Sequence, residues 1–258
     1  MTVKFGPSGL GGVKEAEKNL EEYKRLGFDA CELAFTYGPY IKRQEDAERI
    51  GKKAKELGIQ LSIHGPYWIN LNSAEDEKIE KSKERILECL KVGTWLGATK
   101  VVIHPGFYGK RNKEETYENV KNALKEVVEK AKEEGYTSKV AVETTGKINV
   151  FGSIDETYNL VKETGCDFCI DFAHILAREK DYYFKEVFEK FSEFDEIHIQ
   201  FSGIEYSEKG ERWHKRLEES EIKKLLETLP KDKKITIISE SPEPVEDSLL
   251  SLKTCENL

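Results

Sequence analysis

Eight short apolar runs, separated by long charged segments, constrain this chain more than any other feature. The runs are "VKFG", "ACELAF", "QLSIHG", "KVVIHP", "KVAVETT", "FCIDFAH", "EIHIQF" and "KITIISES". Each has the length and composition of a strand, whereas the segments between them carry apolar residues at helical spacing. In "GGVKEAEKNLEEYKRLG", Leu20, Tyr23 and Leu26 form one stripe and Gly27 stops the helix. "EDAERIGKKAKELG", "EKSKERILECLKVGTWLG", "YENVKNALKEVVEKAKEEG" and "IDETYNLVKETG" repeat the design, each ending in a glycine suited to a helix C-cap.

Eight β/α units in 258 residues predict an α/β chain folded as a single (β/α)8 TIM barrel, one domain over residues 1–258. Parallel strands buried on both faces produce such nearly continuous apolar runs. An open doubly wound sheet is the alternative, but it usually has fewer strands and often a glycine-rich phosphate loop. The "PSGLGG" after the first run lacks the required spacing.

The formal net charge of −8 excludes a broadly basic nucleic-acid-binding surface. A polyanion would need local positive charge, from clustered Lys and Arg or from metal ions. The N-terminal "MTVKFGPSGL" lacks the blocks of a signal peptide and no apolar stretch approaches a membrane span, so a cytoplasmic chain is expected. Five scattered cysteines argue against a disulfide framework. Cys166 and Cys169 stand three apart in a strand-like run, where they point to opposite faces, and are expected to be buried structural thiols rather than a metal pair.

Barrel active sites are built at the C-terminal ends of the strands, so the strand ends carry the chemistry. His64 ends the third run, His104 the fourth, Glu143 the fifth and Asp171 the sixth; His198 lies in the seventh and Glu240 ends the eighth. Taken singly, a strand-end His is more often a hydrogen-bonded core residue and an Asp a helix cap. Six together would repel or stay poorly solvated without cations among them. Mixed imidazole and carboxylate ligands suit Zn²⁺, Mn²⁺ or Fe²⁺, and the number of donors calls for at least two ions with a bridging carboxylate, for which Glu143 is the candidate. His174, three residues beyond Asp171, can lean over the mouth, and His214 falls in a polar loop after the seventh strand.

"IHGPYWINL", "VIHPG", "VAVETT", "CIDFAH", "IHIQ" and "ISES" resemble, in order and over essentially the whole chain, the metal-binding motifs of endonuclease IV, a TIM-barrel apurinic/apyrimidinic endonuclease. The resemblance implies a trinuclear zinc site, with manganese as the alternative metal, that hydrolyses the DNA phosphodiester 5′ to an abasic nucleotide. It implies one zinc on His64, His104 and Glu143, and a second on Glu143, Asp171, His198 and Glu240. A third would rest on His174 with Glu211 and His214. It implies Tyr67 as a wall of the abasic-nucleotide pocket, double-stranded DNA with abasic sites as the partner, and a monomer. His64 would precede Gly-Pro because the strand must end at the ligand and the chain turn out of the barrel.

Two stretches depart from the family pattern. Where the family has Asp-x-His, this chain has Glu211-Arg212-Trp213-His214, with the longer acid and one extra residue; Arg212 is expected to face substrate. The arginine-containing loop after the second strand is replaced by "FTYGPYIKRQ", in which Tyr37 and Tyr40 are expected to stack on nucleotides and Lys42 and Arg43 to touch phosphate. The competing reading is a xylose-isomerase-like sugar isomerase or epimerase using one or two divalent metals.

Overall fold

The computed structural model describes residues 2–258. In chain order the elements are β1 (Thr2–Pro7), α1 (Ala16–Arg25), β2 (Ala30–Ala34), α2 (Gln44–Leu57), β3 (Gln60–His64), α3 (Asp76–Leu96), β4 (Lys100–Ile103), α4 (Lys113–Glu133) and β5 (Lys139–Glu143). The second half continues with α5 (Ile154–Thr164), β6 (Asp167–Asp171), α6 (Phe172–Glu179), α7 (Phe184–Lys190), β7 (Glu196–Phe201), a hairpin of β8 (Gly203–Ser207) and β9 (Gly210–Lys215), α8 (Glu219–Thr228), β10 (Lys234–Ser239) and α9 (Pro244–Glu256).

Eight strands form one parallel sheet in the order β1-β10-β7-β6-β5-β4-β3-β2. Its ends meet where Asp29 N donates to Phe5 O (3.1 Å) and Gly9 N to Glu32 O (2.7 Å), so the (β/α)8 barrel expected from the sequence is nearly closed. Gly6 makes the contact possible, because a Cβ there would lie 1.8 Å from Ala30 O. The α2, α3 and α5 helices end as the sequence predicts, on Gly58, Gly97 and Gly165 in the left-handed conformation. Asn112 with Glu115 and Ser153 with Glu156 form capping boxes at the starts of α4 and α5. Among the described residues, no helix is long and apolar enough to cross a membrane.

The apolar core lies between the strands and the helical jacket, with Leu20, Leu33, Ile50, Ile63, Leu90 and Val101 all fully buried. The barrel interior is unusual, since branched apolar layers normally fill it. Here Val102, Ala141 and Cys169 supply only a small apolar patch. Low in the barrel, Lys4 Nζ donates to Gln60 Oε1 (2.9 Å) and Gln60 Nε2 to Thr236 Oγ1 (3.1 Å). Above them the buried Glu32 accepts from Ser62 Oγ (2.7 Å) and Gln200 Nε2 (2.6 Å) and faces His198 Nε2 at 3.2 Å. Cys166 and Cys169 are both free and buried, and burial pushes the Cys169 thiol well up, as expected for inert structural thiols.

Candidate metal centre

His64 is the last residue of β3, and the Gly65 that follows is demanded by packing. Gly65 N donates to Val102 O (2.7 Å), and a Cβ on it would press on Ile103 and Val102 at 3.0 and 3.2 Å. The tight exit turns the His64 ring into the mouth. Its Nδ1 bonds Gly65 O (2.9 Å), which leaves Nε2 3.2 Å from Glu143 Oε2. His104, just past β4, brings its Nε2 to 3.0 Å from Glu143 Oε1. Glu143 closes β5 with no exposed surface.

Asp171 serves two ends at once. Its Oδ1 accepts from His174 N (2.8 Å) and so caps α6, which fixes His174 in the first turn of that helix. His174 Nδ1 then lies 3.0 Å from Thr144 O and 2.8 Å from Glu143 Oε1, while its Nε2 is 3.5 Å from Glu211 Oε2. Cap and site residue are therefore the same Asp, one oxygen for each.

The region after β7 is a hairpin where the sequence suggested a loop. It presses on the β5–α5 connection so closely that a Cβ on Gly210 would lie 2.1 Å from Gly146 O, and one on Gly146 2.8 Å from Glu211 Cβ. The pairing of β8 with β9 shifts register between Glu205 and Tyr206, so that Tyr206 opposes Glu211 and Glu205 opposes Trp213. Arg212 is the extra residue of this bulge, and it is exposed. Since alternate strand residues share a face, a one-residue bulge returns Glu211 and His214 to the same side despite their spacing of three. His214 Nδ1 is fixed by Ser202 Oγ (2.5 Å), and its ring stands 5.3 Å from that of His174.

Three groups of donor atoms result, each close enough for one ion: His64, His104 and Glu143; Glu143, Asp171 and His174; and His174, Glu211 and His214. Glu143 and His174 link them. The donor chemistry fits divalent metals. His64 bonds its second ring nitrogen to a backbone carbonyl and His214 to a hydroxyl, as metal-ligating histidines do. Glu143 Oε1, His104 Nε2 and Asp171 Oδ2 are buried without hydrogen-bond partners, although Glu143 Oε1 has imidazole nitrogens at 2.8 and 3.0 Å. Atoms that converge without bonding one another are placed as ligands around a cation would be.

Electrostatics point the same way. Burial pushes the Glu143 carboxyl up, but the imidazoles of His104, His174 and His64 outweigh it and hold it well below the usual carboxylate range. Burial alone would lower His64, yet Glu143, Glu240 and Glu32 carry it to about 10. Desolvation lifts Asp171 to about 7 against the pull of His174, and lifts Glu240 well above its usual range against that of His64. Burial and the neighbouring His174 depress His214 to about 4.

His198 stands elsewhere than the resemblance implied. Register pairs Gln200 with Asp171, so Gln200 holds the β7 position at that level; His198, two residues earlier on the same face, sits one step deeper against Glu32. Gln200 Nε2 also donates to Glu240 Oε1 (3.0 Å), placing Glu240 at the edge of the centre rather than in a donor group. Tyr67 flanks His64 and His104, with ring centroids 5.7 and 6.3 Å away. Tyr37 is 81% exposed and pairs with Trp68 at 6.0 Å, whereas Tyr40 turns edge-on to the buried Phe35. Lys42 is paired with Glu88, and Arg43 with Glu45 and Asp46, so neither is a free cation. Glu32 and Gln200 escaped the sequence reading. Their signal was a polar residue at the inward alternation of an otherwise apolar strand, in "ACELAF" and "EIHIQF".

A family model described as the xylose isomerase-like TIM barrel matches residues 20–253. An uncharacterized protein of Methanocaldococcus jannaschii is 38% identical over 270 residues, covering 98% of this chain and 96% of the relative. A protein of Carboxydothermus hydrogenoformans named "Probable endonuclease 4" is 30% identical over 214 residues, covering 75% of this chain and 74% of its own. Among solved structures, a D-tagatose 3-epimerase-like protein superposes with a TM-score of 0.75 at 22% identity, covering 98% and 97% of the two chains. Endonuclease IV of Thermus thermophilus superposes with 0.72 at 21%, covering 100% and 98%. At such identities the superpositions establish the fold and do not separate nuclease from epimerase. The family model and the sequence relatives together place the chain in the endonuclease IV family of xylose isomerase-like TIM barrels.

Proposed function

We propose that the chain is a metal-dependent phosphodiesterase that cuts the DNA backbone 5′ to an abasic nucleotide. The observation that carries this reading is the third donor group, His174 with Glu211 and His214, delivered by the bulged hairpin beside the first two. A sugar isomerase or epimerase works with one or two divalent ions and has no use for a third set. The names of the sequence relatives support the same reading.

Zinc is the metal proposed: His64, His104 and Glu143 would hold one ion and Glu143 with Asp171 and His174 a second, while Glu240 and His198 stand outside the donor groups. When bound, such ions lower the pKa of a water and offset the negative charge of a phosphodiester. The chain supplies the rest. Glu143 belongs to two of the donor groups and would be the ligand common to two ions. Tyr67 is more than half exposed at the mouth, and desolvation of its hydroxyl together with Glu240 pushes it up to about 12, so it stays protonated and can donate to a phosphate or sugar oxygen. A cavity of 270 Å³ between Tyr67, His104, Phe107, Lys147 and Glu211 suits one extruded deoxyribose rather than a base, and an abasic nucleotide costs little to unstack. Lys147 and the bulged Arg212 provide local positive charge on an acidic protein, and the Tyr37–Trp68 pair offers an aromatic surface to neighbouring bases.

A cavity that suits one deoxyribose would also suit a free monosaccharide, and this keeps a sugar epimerase as the second reading. Elemental analysis and cleavage of a duplex with a single abasic-site analogue distinguish the two. Two or three zinc ions per chain and chelator-sensitive incision on the 5′ side of the lesion are expected. Intact DNA together with turnover of ketohexoses would overturn the nuclease reading.

A further inference from the structure

We infer that the floor of the barrel, at the end away from the metal centre, carries a second binding site, for a small hydroxylated monoanion. A cavity of 330 Å³ opens there among the strand starts, with Lys4, Lys100, Glu196, His198, Lys234 and Thr236 in its lining. That volume lies at the small end of the range for ligand pockets. None of the donor groups of the mouth contributes to it.

Charge identifies the ligand's sign. Of the three lysines, Lys234 pairs with Glu196 at 2.9 Å and Lys100, itself buried, with Asp167 at 3.0 Å. Lys4 has the uncharged Gln60 as its hydrogen-bond partner among the described residues. The cavity thus keeps one uncompensated ammonium group in a concave, partly desolvated place, where an anion is worth more than on an open surface. Lysine on a polar floor also binds anions as a point charge, without demanding a planar partner.

Hydrogen bonding identifies the rest. His198 lines the cavity at 1% exposure; its Nε2 faces the Glu32 carboxylate and its Nδ1 is buried with no partner among the described residues. With the Nε2–H donating to that carboxylate, Nδ1 of the neutral ring offers a lone pair to a donor such as a ligand hydroxyl. Thr236 Oγ1 accepts from Gln60 Nε2, which leaves its own proton to give. One negative charge for Lys4, one hydroxyl for His198 and one acceptor for Thr236 describe a hydroxy acid or a comparable small oxyanion.

Five histidines make the test direct, because four lie at the mouth and one at the floor. Metal-loaded protein labelled with ¹⁵N-histidine is titrated with D-glycerate, acetate and glycerol. Glycerate is expected to move the His198 ring signals saturably at millimolar concentration, on the order of 4 kcal/mol of binding, with acetate weaker and glycerol without effect. Lys4→Met should abolish the shift and Lys4→Arg keep it, the mouth signals serving as the check that each variant is folded. A His198 signal indifferent to all three probes overturns the proposal. So does binding that moves only His64, His104, His174 and His214, or that survives Lys4→Met unchanged.

Discussion

Glu143 and Glu32 are both fully buried carboxylates facing imidazoles in one barrel, and they differ in what surrounds their oxygens. At the rim, Glu143 Oε1 has no hydrogen-bond partner although two imidazole nitrogens lie within 3.0 Å. One layer below, Glu32 uses both oxygens, on Ser62, Gln200 and His198. Burial pushes each carboxyl up and neighbouring imidazoles bring each below its ordinary value, so charge alone does not tell them apart. Satisfaction does. A buried carboxylate whose two oxygens are both bonded helps specify a structure, whereas one left with a bare oxygen is completed by something the chain does not supply.

The largest effect is therefore expected at the rim. Glu143→Gln removes the carboxylate that two donor groups share, and since loss of a mere supporting partner already costs 10–100-fold, incision should fall by more than about 100-fold with loss of bound metal. The thermal midpoint of the metal-free protein should fall as well, because Glu143 faces the imidazoles of His64, His104 and His174, so bound metal is the readout that separates the two carboxylates. Metal counting and calorimetry on the same preparation check both halves. Full metal content in the variant would break the contrast between the two carboxylates.

The layer below should respond differently in its metal content. Glu32→Ala strands His198, Gln200 and Ser62 in the barrel, and leaving buried polar groups without partners costs about 1–3 kcal/mol each, a fall in Tm on the order of 10 °C for a chain of this size. Metal content, where the fold survives, should be retained. Loss of metal with unchanged stability would move Glu32 into the ligand set and reverse the assignment.

How far the sequence anticipates this contrast depends on which geometry it encodes locally. Strand ends and glycine caps follow from periodicity, so the barrel and the positions of His64, His104, Glu143 and Asp171 at its mouth could be read directly. The level of a residue within the barrel depends on inter-strand register, which no single strand records; hence His198 was expected beside Asp171, where Gln200 stands. The hairpin raised a different difficulty. Glu211 and His214 violate alternation on paper, and only the bulge at Arg212, set by pairing with β8 and by the contact of Gly146 with Gly210, brings them to one face.

The smallest predicted effect separates the two regions by pH. His64 is raised to about 10 in the folded metal-free protein against an ordinary 6.5, so its contribution is complete below about pH 6.5 and is lost as pH climbs through 10. Asp171, raised to about 7, acts in the same direction, since the folded state holds its proton and stability declines as pH rises from about 4 to 7. Glu143 and Glu32 are lowered, so their contributions are present above the ordinary carboxylate range and fade only in acid. Metal-free protein should accordingly lose several degrees of Tm between about pH 6 and pH 10. With metal loaded, the rim imidazoles are held as neutral ligands and that alkaline loss should vanish, while the acid loss owed to Glu32 persists in both forms. Calorimetry with and without chelator measures both limbs. An alkaline limb that is indifferent to metal would mean that the rim histidines are ordinary ion-pair partners, and the distinction between open and closed networks would fail there first.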